Sequence, residues 1–257
     1  MTKVLLAIIG FGFLFPLLVT FTNGFMTEYE INLHYTTQIS DFDIVEGVEA
    51  RFIRFPLIPR QVSVEQYRAV LIDQPTFLML MLNSVRITLP IVIGNLLVSF
   101  LTAYGFTVWN FKRKEIIFYI YIVVMLMPLQ AVLVPNFIVA TWLGISQSPW
   151  AIIWAGIFAP FGTFLLRQSM KAIPDACYEA ARIDGAGEVG ILLHIVSPQM
   201  KSGAAALMML VFIDYWNVVE QAVIFIRDFT LEPLSVFLSR LADGRVGLIF
   251  AAWLCIC

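Results

Sequence analysis

Three polar residues near the end of a strongly apolar run, Asp214, Asn217 and Gln221, recur at i, i+3 and i+7. A helix there would present them on one face, with Tyr215, Trp216 and Glu220 beside it. Carboxylates and amides offer hydrogen bonds and the aromatics offer flat stacking surfaces, which is a chemistry of binding. Lipid does not solvate such groups, so a polar face inside a span turns to a water-filled cavity or to a neighbouring helix, and both readings are open. A second set lies in a soluble-looking insert of about thirty residues, where Glu179, Ala180 and Ala181 are followed by Asp184 and Gly185. One charge beside two small side chains lets another protein's backbone approach closely while the carboxylate finds a basic partner. Pro174 suits a first helical turn, and Asp175 and Glu179 complement the helix dipole. Gly185 suits the left-handed residue that ends a helix, so a bent pair of short helices is expected up to Pro198.

Other chemistries have little to work with. No G-x-x-x-x-G-K-[ST] phosphate loop is present. Cys177, Cys255 and Cys257 form neither a disulfide framework nor a zinc spacing, and no cofactor is implied. His34 and His194 fall on opposite sides of the proposed membrane. A net charge of -2 argues against nucleic-acid binding.

The elements that must position these residues are membrane spans. The chain is 60% hydrophobic and only 13% charged, against roughly 25% charged in soluble domains. Five apolar stretches are long enough to cross about 30 Å of hydrocarbon, at 4–25, 78–108, 116–139, 149–166 and 202–226. A sixth, 246–257, would span only about 18 Å and reads as a truncated last helix. The first stretch is longer than a secretory h-region and lacks a small-x-small cleavage site, so it is expected to be an uncleaved anchor. Lys3, Lys112, Lys114, Lys171 and Lys201 all fall on one side of an alternating chain. That places the N-terminus, the 111–115 turn and the 171–201 insert in the cytoplasm. The acidic connector 26–75 is then extracytoplasmic, and Arg86 snorkels outward from a crossing that starts near Leu89. Pro128, Pro135, Pro160 and Gly162 loosen helices at membrane depth, as helices lining cavities tolerate.

Glu179-Ala180-Ala181, Gly185-Ala186, Ile195 and Pro198 together resemble the EAA loop of permease subunits in binding-protein-dependent ABC importers. Asn83-Ser84, Ala103-Tyr104, Met127-Pro128-Leu129-Gln130, Phe161-Gly162, Leu165-Leu166-Arg167-Gln168 and Trp216-Asn217 extend the likeness to the MalG-like, carbohydrate-uptake branch. The resemblance implies an all-α integral membrane protein with the type I permease fold, a single permease domain over 1–257 of six transmembrane helices with the last one truncated. It implies a home in the bacterial cytoplasmic membrane and no enzymatic activity of its own. Glu179, Ala180, Ala181, Asp184 and Gly185 would dock on separate ABC ATPase subunits. The other implied partners are a second homologous permease subunit, an extracytoplasmic solute-binding protein and a sugar passing Asp214, Tyr215, Asn217 and Gln221.

Two departures from the family pattern stand out: Ser202 follows Pro198-Gln-Met-Lys201, and the chain stops at Cys257 part way through the last span. Two other readings remain open on the residues. One is an ion-coupled secondary transporter in which Asp214 or Glu220 titrates, and the other a non-transporting assembly subunit. A bland alternative for the insert is a surface helix on which Glu179 pairs with Arg182.

Overall fold

The computed structural model describes residues 2–27, 29–31, 59–68, 71–72, 75–241 and 252, and all the regular structure among them is helical. The middle of the acidic connector, 32–58, and all but residue 252 of the stretch 246–257 lie outside the described residues. The chain divides into two compact units, residues 1–79 with 237–257 and residues 80–236.

In the first unit, helix α1 (Thr2–Asn23) carries exposed apolar side chains at successive positions, among them Phe11, Phe13, Leu14 and Leu17. A helix greasy all round suits lipid or another membrane helix. Beyond its end, the Glu30 carboxylate accepts from the backbone N–H of Arg60 at 3.0 Å, and the Phe25 ring sits 5.2 Å from Tyr67. The two described ends of the connector are thus pinned together beside α1.

The second unit holds the functional residues. Helix α2 (Pro75–Val108) has 34 residues, about 50 Å of rise, which exceeds the hydrocarbon thickness. Its Ile87, Ile91, Ala103 and Tyr104 join Ile152, Leu166, Leu207 and Tyr215 in one buried core. Small residues let the backbones approach: a Cβ on Gly156 would meet Ile91 and Tyr215 within 3 Å.

The expected third span, 116–139, is not one helix. It consists of α3 (Lys114–Met125) and α4 (Leu129–Trp142), bent by 102°. Pro128 has no N–H to continue the ladder and disfavours α geometry at Met127, so the chain turns at the proline. The fourth stretch runs further than 149–166, as α5 (Pro149–Ile157) and α6 (Phe161–Met170), with a break at Pro160. The fifth stretch is also interrupted. Helix α9 (Lys201–Trp216) ends where the Asn217 side-chain amide takes the Ile213 carbonyl at 2.8 Å, and α10 (Glu220–Phe225) starts afresh. Between α6 and α9 come α7 (Asp175–Ile183) and α8 (Glu188–Gln199). A further helix, α11 (Leu234–Leu241), had no counterpart among the expected spans.

Candidate functional site

Helix α7 starts after Pro174, whose φ of -63° leads into the first turn at Asp175. It stops at a Schellman turn. Gly185 adopts φ +83°, its N–H donates to the Arg182 carbonyl at 3.1 Å, and the Ala186 N–H donates to the Ala181 carbonyl at 2.9 Å. A side chain with Cβ would be strained there, which explains the glycine.

Tyr178 and Ala181 face the core together with Ile191 and Val196 of α8. Of the residues expected to dock, Ala181 is buried in the protein's own core and seats the helix from behind. Glu179, Ala180, Asp184 and Gly185 are exposed. Ile183 joins them at 85% exposure, with Val189 and Leu193 also exposed on α8. Three exposed aliphatic side chains, Ile183, Val189 and Leu193, thus share this segment with the exposed Glu179 and Asp184 carboxylates. Helix α8 meets α9 at 76°, so the loop departs steeply from the direction of the fifth span.

Arg182 does not pair with Glu179. Its Nε and Nη2 each lie 3.1 Å from Oε1 of Glu188, whose other oxygen accepts from the Tyr104 hydroxyl at 2.5 Å. The phenol proton of Tyr104, aided by Arg182, holds the Glu188 carboxyl below the usual carboxylate range despite some desolvation. A lowered folded-state value means the stabilisation is present above the ordinary glutamate value and is lost as pH falls through the lowered one. The 175–188 segment should therefore keep its amide protection down to about pH 4.3 and loosen only below it. Hydrogen exchange corrected for intrinsic rates checks this, and loosening already at pH 6 would contradict it.

A second tie lies at the same end of α2. The Arg167 guanidinium, 2% exposed, bonds Glu115 at 2.7 Å and the Phe106 carbonyl at 3.3 Å, and stands 3.7 Å from the Phe118 ring centre. Asn83 and Ser84, near the opposite end, hold the 230–234 loop through the Thr230 and Glu232 carbonyls and the Leu234 N–H. In the sequence Arg167 stands out as part of a short match, Asn83 and Ser84 as a short match and a polar entry to the second span, and Asn95 and Glu188 not at all. Apart from Arg182, six residues before Glu188, and Ser99, four after Asn95, their partners are 52 to 150 residues away, so no local pattern announces them.

The proposed polar face is only partly assembled. Asp214 and Asn217 are exposed on and just beyond α9, whereas Tyr215 turns inward against Gly156. Gln221 lies on a separate helix, because the break after Trp216 destroys the i, i+7 relation. Glu220 instead accepts from Gln130 of α4 at 3.1 Å.

Residues 95–252 match the family described as binding-protein-dependent transport system inner membrane component. The chain is 28% identical over 183 residues to the arabinooligosaccharides transport system permease protein AraQ of Bacillus subtilis, covering 71% of this chain and 65% of that protein. It is 31% identical over 162 residues to the lactose transport system permease protein LacG of Rhizobium radiobacter, covering 63% and 59%. The chain thus spans less than two thirds of the length of either relative. Its fold superposes with a TM-score of 0.74 on a bacterial ABC transporter crystal structure, described as involved in the import of the acidic polysaccharide alginate. The identity is 22%, over 98% of this chain and 87% of that one.

Proposed function

Because the chain belongs to the family of binding-protein-dependent transport system inner membrane components, we propose that it is the permease subunit of an ATP-driven importer of a sugar or oligosaccharide. The observation that carries the coupling is the outer face of α7. It is seated by Tyr178 and Ala181, ended by a glycine turn, and exposes Glu179, Ala180, Ile183, Asp184 and Gly185 as a ready-made docking surface. A separate ATPase subunit receives this face in a cleft and supplies the hydrolysis. Closure of two such subunits moves the loop and converts an inward-open cavity into an outward-open one. The loop 171–201 and the N-terminus are cytoplasmic, consistent with the lysine distribution. A second permease subunit completes the pore, and an extracytoplasmic solute-binding protein delivers the sugar.

Asp214 and Asn217 are the polar groups open to a solute on the fifth span, with Gln130 and Glu220 adjoining through their hydrogen bond.

Co-purification in mild detergent with the ATPase encoded nearby tests the reading. Glu179→Arg combined with Ala180→Trp places a reversed charge and bulk on exposed positions and should weaken ATPase binding at least about tenfold, some 1.4 kcal/mol. Unchanged binding would remove α7 as the docking element. Uptake that collapses with the proton gradient yet persists without any ATPase would assign the chain to ion-coupled transport instead.

A further inference from the structure

Helices α7 and α8 are joined by Asp184-Gly185-Ala186-Gly187, a turn held by two backbone hydrogen bonds whose two glycines leave it easily deformed. A push on α7 would therefore be absorbed at the joint unless side chains brace it. Glu188 provides the brace, with one carboxylate oxygen on Arg182 of α7 and the other on Tyr104 of α2. The Tyr104 ring is 4% exposed and lies in the core, so its hydroxyl is held in one direction, towards Glu188.

Helix α2 is unbroken over its 34 residues and grips two other places. In its middle, the Asn95 amide donates to the carbonyls of Gly156, Ile157 and Ala159, at the Pro160 break of the fourth stretch. Twenty-one residues before Tyr104, about 32 Å along the axis, Asn83 holds the carbonyls of Thr230 and Glu232. One continuous helix, with Pro90 inside it, thus touches the loop beside α7, the break in the fourth stretch and the 230–234 loop.

We propose that the Glu188–Tyr104 hydrogen bond is the joint through which α7 drives α2, making Glu188 and Tyr104 positioning residues for transport, distinct from the docking face. The proposal rests on the importer reading above. Without the joint, the ATPase still docks on Glu179 and its neighbours, but its closure is dissipated in the glycine connection.

Tyr104→Phe removes one hydroxyl and leaves the buried ring, so it tests the joint without a cavity. Two readouts separate this idea from the importer reading. In the full-length chain in detergent, hydrogen exchange over 175–188 should be at least about fivefold faster in Tyr104→Phe than in wild type; unchanged exchange overturns the joint whatever the chain transports. In the reconstituted complex, Tyr104→Phe should keep ATPase binding within about twofold while sugar imported per ATP falls about five- to tenfold, within the usual range of coupling between sites. Glu188→Gln, which keeps an acceptor for the phenol, should fall less than Glu188→Ala. Adding Tyr104→Phe to Glu188→Ala should change nothing further. Wild-type import per ATP in Tyr104→Phe, or additive losses in the double variant, overturns the proposal. A wild-type chain that binds no ATPase defeats the importer reading alone, and the exchange measurement then still judges the joint.

Discussion

Asn95→Leu should cost about 3 kcal/mol of stability, the largest loss expected from any near-isosteric change in the second unit. Asn95 is 1% exposed, and its Nδ2 lies 2.9 Å from the Gly156 carbonyl, 3.3 Å from that of Ile157 and 3.2 Å from that of Ala159. Pro160 has no N–H for the Gly156 oxygen, which the Ala159 N–H reaches at 3.2 Å instead, and the Asn95 amide supplies a side-chain donor to all three carbonyls at the break. Water does not reach a hydrocarbon-depth break freely, so an acceptor left unpaired costs about 1–3 kcal/mol, and leucine takes the Asn95 donor away from the Ile157 and Ala159 carbonyls, while Gly156 keeps the Ala159 N–H. Ser99, whose hydroxyl donates to Asn95 Oδ1 at 3.3 Å, would also lose its partner. The packing leaves no slack for repair, since a Cβ on Gly162 would overlap both Ser99 and Asn95. Denaturant unfolding in detergent reads the difference. Ser99→Ala should cost about 1 kcal/mol by the same measure. A loss below 1 kcal/mol for Asn95→Leu would mean that the break is held by something other than this amide.

Glu115→Ala should destabilise by about 2.5 kcal/mol, and Arg167→Met by only about 1, although the arginine is the buried partner. The asymmetry follows from what each change leaves behind. Glu115 is 60% exposed, so without Arg167 it is free to hydrate, and methionine fills much of the vacated space. Without Glu115, a guanidinium 2% exposed keeps only the Phe106 carbonyl and the face of Phe118, and most of its charge is uncompensated. Glu115→Gln retains an acceptor and should fall between the two. Thermal unfolding in detergent ranks the three. An Arg167→Met protein less stable than Glu115→Ala would show that the pair contributes net attraction beyond desolvation.

Both residues belong to the class that local pattern overlooks. Arg167 stands in the sequence as one residue of the Leu165-Leu166-Arg167-Gln168 match, and Asn95 is not singled out by any pattern. Their importance comes from Glu115 at a separation of 52 and from Gly156, Ile157 and Ala159 at 61 to 64. Arg182 illustrates the same point in reverse. Spacing offered Glu179 three residues before it, but the turn at Gly185 brings Glu188 round to it. The proposed polar face failed for a related reason. The i, i+3, i+7 count assumes an unbroken helix, and the Asn217 side chain ends α9 by capturing the Ile213 carbonyl.

What the sequence determined by itself was set by composition and by short-range chemistry. Long apolar runs must become helices in lipid because no other open structure satisfies the backbone. Pro174 and Gly185 mark the ends of α7 through φ constraints that need no partner. The motif Glu179-Ala180-Ala181 with Gly185 pointed to the permease family on which the comparisons agree. Tertiary structure decided which side of α7 is left exposed, since packing in one core with Ile191 and Val196 turns Tyr178 and Ala181 inward. It also decided where the spans bend and which carbonyls α2 holds. Lipid accepts any apolar face, so the sequence leaves each helix nearly free to rotate about its axis. The few buried hydrogen bonds, from Asn83, Asn95, Tyr104 and Arg167, remove that freedom, because each has a direction and a partner far along the chain.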